Sequence, residues 1–281
     1  MMPPDYLLIG HLTADLTPHG RVLGGTVSYA ARVVDAFGLR AGLLTSAAVG
    51  EPLLSELLPY VSEKEILPAD STSTFENIYG PTGRIQYIRG VAASIKPEHV
   101  PEAWRAAPLV HLAPLTDEVD PQIVHLFPDS LVMLTLQGWL RRWDADGRVR
   151  FKPWFDPAVL AEIDVVVFSE EDIAEAPELE AQFAGATEHL FVTRAEQGGT
   201  YYHRGQPTSY TTPRVELVHP TGAGDVFAAS LLCSLHVLNG NISAAVQVAA
   251  QLAAISVTRV GLDSAPASDE VQKALEDAKP R

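Results

Sequence analysis

The chain has one cysteine, Cys233, in 281 residues. A lone thiol closes no internal disulfide, so the fold must be held by burial, and a reducing compartment is the simplest setting. Basic residues are scarce too: 20 Lys and Arg stand against 35 Asp and Glu, a net charge of −15. That field repels polyanions, so no nucleic-acid partner is expected. A small anion stays open, because it needs only a few local N–H groups and cations. No apolar run approaches the ~18 residues of a membrane span. The Met-Met-Pro-Pro-Asp start lacks a basic segment followed by an apolar core and a small-residue cleavage site. A cytoplasmic protein without a membrane partner is therefore expected. The nine histidines show no metal-ligand spacing. Gly-x-x-x-x-Gly-Lys-Ser/Thr is missing, as is Gly-x-Gly-x-x-Gly after the first strand, which removes the main support for Walker-type ATPases and Rossmann dehydrogenases. With no repeat, low-complexity tract or linker, residues 1–281 read as a single domain.

What is present is 47% hydrophobic, enough for a large core. Short apolar runs at 6–9, 109–112, 131–134, 165–168 and 190–192 are the pattern of buried parallel strands. Helical spacing follows at 25–37, 97–106, 120–127, 177–183, 223–238 and 243–260. The alternation predicts an α/β fold, a doubly wound, mostly parallel sheet with helices on both faces. Residues 71–92 break the rhythm: β-branched, aromatic and polar residues alternate around Gly80-Pro81-Thr82-Gly83, predicting an antiparallel excursion that turns Phe75, Asn77 and Tyr79 to one side. The polar stretch 16–23, punctuated by Pro18 and Gly20, supplies further strands of the same small β lid. An ordinary surface hairpin is the alternative.

Chemistry concentrates at His219-Pro220-Thr221-Gly222-Ala223-Gly224-Asp225, which runs directly into an apolar helix. Small residues there let the N–H groups of Gly222, Ala223 and Gly224 approach an anion with the helix dipole behind them. A carboxylate beside that cradle can accept a proton from an attacking hydroxyl. Asp225 as a plain helix cap is the other reading. Gly24-Gly25 before the first helix allows close approach of backbone to a ligand, or makes a simple turn. Asp15 follows a strand, where open α/β sheets bind ligands and where surface aspartates are also common. Cys233, inside the apolar helix, reads as packing, as do Trp139 and Trp143 at i, i+4.

These strings together resemble the ribokinase, or phosphofructokinase-B-like, family of sugar and nucleoside kinases along the whole chain. Residues 220–232 resemble its C-terminal signature. Gly24-Gly25-Thr26-Val27-Ser28-Tyr29-Ala30-Ala31 resembles its N-terminal one, and Gly10-His11-Leu12-Thr13-Ala14-Asp15 its sugar-binding aspartate. Val192-Thr193-Arg194-Ala195-Glu196-Gln197-Gly198-Gly199 is similar to its nucleotide-side strand and turn, and residues 253–261 to its late helix beside adenine. The resemblance implies an ATP-dependent carbohydrate kinase of ribokinase-like fold, with Asp225 as base and Gly222, Ala223 and Gly224 as anion hole. Asp15, Gly24, Gly25, Gln137 and Arg141 would face the acceptor; Thr193, Arg194, Gly198, Gly222 and Gly224 would face the nucleotide.

Ser169-Glu170-Glu171-Asp172 stands where the family carries Asn-x-x-Glu, so Glu171 and Asp172 would organise Mg²⁺, with an acidic helix start as the other reading. A monovalent cation is also implied. Within the family the inositol kinase-like branch is nearest, through residues 24–29, Thr74-Phe75-Glu76 and the Gln137-containing segment, which implies a small sugar or polyol partner resembling myo-inositol. A nucleoside or phosphosugar kinase is the alternative, as Arg84 and Arg141 leave room for a phosphorylated acceptor. The departures at His219, Tyr29 and Ser169 motivate a reading of another class, a nucleotide- and sugar-binding sensor. Lid pairing between subunits in the family implies a homodimer through the lid.

Overall fold

The computed structural model describes residues 2–80 and 83–279, without the side chains of residues 79, 80, 83 and 84. The Pro81-Thr82 turn, and the side chains of Tyr79 and Arg84, therefore lie outside the described residues. The strands are β1 (Tyr6–Ile9), β2 (Thr13–Thr17), β3 (Gly20–Gly24), β4 (Ala41–Ala48), β5 (Glu63–Ala69), β6 (Thr74–Gly80), β7 (Gly83–Gly90), β8 (Leu109–Leu112), β9 (Leu131–Thr135), β10 (Arg141–Trp143), β11 (Val149–Phe151), β12 (Val165–Ser169), β13 (His189–Thr193), β14 (Gly199–His203) and β15 (Gln206–Tyr210). The helices are α1 (Thr26–Ala36), α2 (Leu54–Leu57), α3 (Pro157–Leu160), α4 (Leu179–Ala186), α5 (Ala223–Val237), α6 (Ile242–Ser256) and α7 (Ser268–Asp277).

Nine of these strands form the main sheet, in the order β15-β14-β13-β12-β9-β8-β1-β4-β5. It is parallel from β5 to β13 and closes with the antiparallel pairs β13–β14 and β14–β15. Side-chain alternation divides the core between the two faces. Tyr6 and Leu8 of β1 pack with α1, α5, α6 and α7, while Leu7 and Ile9 join Trp104, Trp139 and Phe183 on the opposite side. Trp139 is buried with its indole N–H donating to Val119 O at 2.9 Å, so the tryptophan is a packing residue.

Two stretches with helical spacing are not α-helices. Residues 97–106 form short 3₁₀ turns at Pro97–His99 and Glu102–Trp104. Pro101 has no N–H for an i→i−4 bond and its ring opposes a continuous helix. Residues 120–127 form a 3₁₀ segment, Pro121–Leu126, started by Asp120 accepting from Gln122 N. The late helix ends at Ser256 rather than Val260, where the hydroxyls of Ser256 and Thr258 bond back to Ala253 O and Ile255 O.

The stretches expected to form a lid make a second, four-stranded sheet, β3-β2-β6-β7, that begins at Thr13 rather than Leu16. Strands β2 and β6 pair in parallel, bringing Asp15 opposite Phe75. Its root is a buried polar cluster. Glu118 accepts from the backbone N–H of His11, Leu115 and Thr116, while His11 bonds Ser73 Oγ at 2.7 Å and Ala93 O at 2.9 Å. At the other edge Arg21 donates to Glu51 at 2.7 Å and Thr72 donates to the same carboxylate.

A second polar group lies in the core itself. His111 on β8 is fully buried between Tyr6 Oη at 3.0 Å and Thr135 Oγ1 at 3.2 Å. Burial disfavours its cation and pushes its pKa down to about 3. The unfolded chain therefore binds a proton below about pH 6.5 that the folded chain refuses. Stability conferred by neutral His111 is complete above pH 6.5 and is lost as pH falls from there toward 3. Urea unfolding at pH 7 and pH 5 should differ by about 2 kcal/mol through this residue. That part of the difference should vanish in His111→Gln, whatever the variant's absolute stability.

Candidate active site

Strand order reverses beside β1, which has β4 on one side and β8 on the other. Loops leaving the carboxyl ends of β1 and β8 diverge there and open a crevice. Two close approaches shape its floor. Gly138 lies so tightly on the Pro114–Leu115 backbone that any Cβ would collide, which fixes the segment carrying Gln137 and Arg141 against the loop after β8. Gly24 lies as tightly against the Asp15 carboxylate.

Both helices that reach the crevice start at a glycine with positive φ: Gly25 (88°) before α1 and Gly222 (89°) before α5. An L side chain rarely adopts that backbone, and at Gly222 it would also strike the Tyr29 ring. Tyr29 thus packs under the turn into α5, which explains what the tyrosine does at that position. Of the three cradle residues, Ala223 donates its N–H to Pro220 O at 3.3 Å. The N–H of Gly224 has no carbonyl one turn back in the helix, and no atom lies within 4 Å of the site a side chain would occupy there.

Asp225 is in the first turn of α5 and accepts from Thr26 Oγ1 at 2.7 Å. It keeps partial solvent access, yet dense protein around it raises its pKa to about 6. Desolvation is the largest cause; Asp172 and Asp15 push the same way, while the Thr26 hydrogen bond and the Arg141 guanidinium oppose it. A carboxylate poised in that range can take a proton near neutral pH. The field of Asp225 and Asp15, after burial, holds the Tyr29 phenol far above its ordinary pKa, so it stays protonated.

Arg141 donates to Leu115 O at 3.3 Å and lies 5.6 Å from the ring centre of Phe75, which ties this cation to the lid. Gln137 donates to Asp172 Oδ1 at 3.0 Å, and Ser169 N–H donates to Oδ2 at 2.9 Å. Asp172 is thereby held as the far half of a capping box, and Glu171 is exposed beside it. Of the residues expected to face the nucleotide, Thr193 ends β13 opposite Gly199, and Arg194 N–H donates to Gly198 O at 2.8 Å. The Arg194 guanidinium is clamped between Glu170 (2.7 Å) and Glu180 (2.5 Å), with Tyr202 donating to the same Glu180.

Asp15, Asp172 and Arg141 therefore lie near enough to act on the charge of Asp225, and the two glycine-led helix starts meet there through the Thr26–Asp225 bond, while Thr193, Arg194 and Gly198 stand at the end of β13. Sequence reasoning missed Thr26 and the pair His11–Glu118. Thr26 had a signal, a hydroxyl residue at the first helical position directly after Gly24-Gly25. Glu118 had none, because nothing in its neighbourhood marks a buried carboxylate.

A family model, pfkB family carbohydrate kinase, matches residues 159–269, from within α3 to the start of α7. The cytidine kinase of Thermococcus kodakarensis is 24% identical over 252 residues, covering 81% of this chain and 87% of that protein. Among solved structures, a pyrophosphate-dependent kinase in the ribokinase family, complexed with a pyrophosphate analog and myo-inositol, aligns with a TM-score of 0.80 at 17% identity, over 95% of this chain and 99% of that one. Ribokinase of Arabidopsis thaliana, complexed with ribose and ATP, aligns at 0.74 and 17%, over 98% and 99%. The fold is ribokinase-like over nearly the whole chain, and the matched region carries the pfkB carbohydrate kinase signature. By these matches the protein is a phosphotransferase, similar to the kinases of this class in fold and, over residues 159–269, in sequence.

Gly222 gives a direct test of the cradle. Gly222→Ala forces both the left-handed backbone and the Tyr29 contact, a strain of roughly 1–3 kcal/mol. Thermal unfolding should fall by several degrees and turnover should drop at least tenfold.

Proposed function

We propose that the protein transfers the γ-phosphoryl group of ATP to a hydroxyl of a small, neutral polyhydroxylated ring, a sugar or polyol of the inositol kind. The observation that carries this reading is Asp225, a carboxylate raised to about 6 in the first turn of α5, directly after Gly224 and near enough to Asp15 to feel its charge. The acceptor O–H gives its proton to Asp225 as its oxygen bonds to the γ-phosphorus. The bond from that phosphorus to the bridging oxygen breaks, and ADP leaves with the electron pair. Backbone N–H groups at Gly222 and Gly224 stabilise charge on the transferring group.

Charge on the acceptor side supports a neutral substrate. Asp15 and Asp225 carry two negative charges there against the one Arg141 guanidinium, so a second phosphate would meet net repulsion. Asp15, and Asn77 with Gln86 bonded to it at 3.1 Å on the lid, supply polar groups for substrate hydroxyls. Such groups, left unpaired by a deoxy analogue, would select strongly against it. The cytidine kinase relative supports a second reading, a nucleoside acceptor.

On the donor side, Val218 and His219 N–H both donate to Val257 O, and Leu217, Val218 and Val260 are exposed around that junction. That apolar surface favours a nucleoside triphosphate over bare pyrophosphate, and the donor assay takes both. Mg²⁺ fits the hard oxygen set at Glu171 and Asp172, and since both Asp172 oxygens already accept bonds, the residues suit an ion held through its waters. When bound, Mg²⁺ supplies charge neutralisation on the phosphates.

Asp225→Asn should lower turnover by roughly 10²–10⁴ while leaving nucleotide affinity within a few fold. Retained turnover would remove Asp225 from the mechanism. In the unmodified enzyme kcat/KM should rise with pH through about 6 and then level off, because the base must be ionised. A panel of inositols, hexoses, pentoses, nucleosides and sugar phosphates, read by ADP release, decides the acceptor; clear preference for cytidine or fructose phosphate over free inositols would defeat the polyol assignment. Backbone amides of β2, β3, β6 and β7 should gain hydrogen-exchange protection when acceptor and nucleotide bind together, and unchanged exchange there would argue against a closing lid.

A further inference from the structure

One side chain joins the two helix starts on the cleft floor. Thr26 is the first residue of α1, is buried, and donates to Asp225 Oδ1 from 199 positions away in the chain. Its own position is fixed. Ser28 Oγ bonds Gly24 O at 2.7 Å, tying the first turn of α1 to the end of β3, and Val27, Ala30 and Ala31 are fully buried behind it. A β-branched threonine in a helix has few χ1 wells, so the hydroxyl points from a stiff base. Thr26 makes the side-chain bond to Oδ1, and among the described residues no side chain donates to Oδ2, which leaves that oxygen for the acceptor hydroxyl.

We propose that Thr26 is a positioning residue that holds the Asp225 carboxylate in one orientation and stabilises its anion, so that the acceptor-side helix α1 and the donor-side helix α5 present one reactive geometry. This rests on Asp225 being the base. The groups that act on Asp225 besides Thr26 are Asp15 from β2, Asp172 from the 3₁₀ turn after β12, Arg141 at the start of β10 and the protonated Tyr29 from α1. Asp15 and Asp172 disfavour the anion and Arg141 favours it; the hydroxyl of Thr26 is the neutral donor that favours it. Removing that donor should therefore raise the pH at which the base ionises.

The test compares Thr26→Val, Thr26→Ala and Thr26→Ser with the parent enzyme. In Thr26→Val and Thr26→Ala the acid limb of kcat/KM should move up by roughly one pH unit, the size expected for losing a hydrogen bond to a charged group. At pH 6 the rate should drop about fivefold more than at pH 8, with nucleotide and acceptor KM within a few fold. Thr26→Ser should restore both limb and rate. Carboxyl ¹³C NMR of aspartate-labelled protein, with the Asp225 signal assigned by its loss in Asp225→Asn, reads the same ionisation without turnover. An unmoved Asp225 titration and acid limb in both Thr26→Val and Thr26→Ala would overturn the proposal, as would a Thr26→Ser enzyme as impaired as Thr26→Val. If Thr26→Val does not fold, Thr26→Ala against Thr26→Ser carries the same comparison. A shifted carboxyl titration together with an active Asp225→Asn enzyme would uphold the hydrogen bond's effect on the anion and reject the base assignment, whereas an inactive Asp225→Asn enzyme with no shift in the Thr26 variants would reject only the proposal made here.

Discussion

Everything in the cleft depends on where the parallel sheet changes direction. A parallel sheet sends all its strand-to-helix connections to one edge, and where successive connections part to opposite faces they cannot fill the space between them. Here that gap lies beside β1, between the connection that goes up through the lid into α1 and the loop that follows β8. The only groups that can line such a gap are loop side chains and the unsatisfied N–H ends of helices, so an anion-accepting surface follows from the topology. Gly25 and Gly222 adapt it to chemistry by letting α1 and α5 begin at the floor with no side chain in the way.

The charge distribution then becomes intelligible. A protein of net charge −15 cannot attract an anionic donor by its global field, and capture must be local. Backbone donors at a helix start, as at α5, are the kind of group that can do this without a mobile cation, whereas Arg194 is already clamped by two carboxylates. The same acidic excess is used inside the cleft, where Asp15 and Asp172 help burial hold Asp225 at a proton affinity suited to accepting a hydrogen ion near neutrality.

Two buried polar clusters support this arrangement from beneath. Around Glu118, three backbone N–H groups converge on one carboxylate at the joint between the main sheet and the lid. A buried carboxylate is tolerated only when so fully bonded, and removing any partner would leave a charged group short of donors. His111 is the neutral counterpart, bridging Tyr6 and Thr135 across three adjacent strands within an otherwise apolar layer. Both clusters fix relative strand positions more narrowly than apolar packing alone does, because hydrogen bonds have direction.

Local pattern by itself determined the parallel strands β1, β8, β9, β12 and β13, the helices α1 and α5 and the antiparallel β6–β7 excursion, because strand runs, helical periodicity and small-residue turns are written in neighbouring residues. It did not reveal β4 or β5: the β4 string Ala41-Gly42-Leu43-Leu44-Thr45-Ser46-Ala47-Ala48 has little strand-forming bulk and pairs with β1 and β5, and the charged Glu63–Ala69 forms the sheet edge beside it. Nor did it separate α-helix from 3₁₀ turn at 97–106, where the apolar spacing is helical but the prolines decide. Only the tertiary structure brought Thr26 to Asp225, Gln137 to Asp172, Tyr29 under Gly222 and His11 to Glu118. These contacts join residues far apart in the chain, and no local pattern records a distance that exists only after the sheet has assembled.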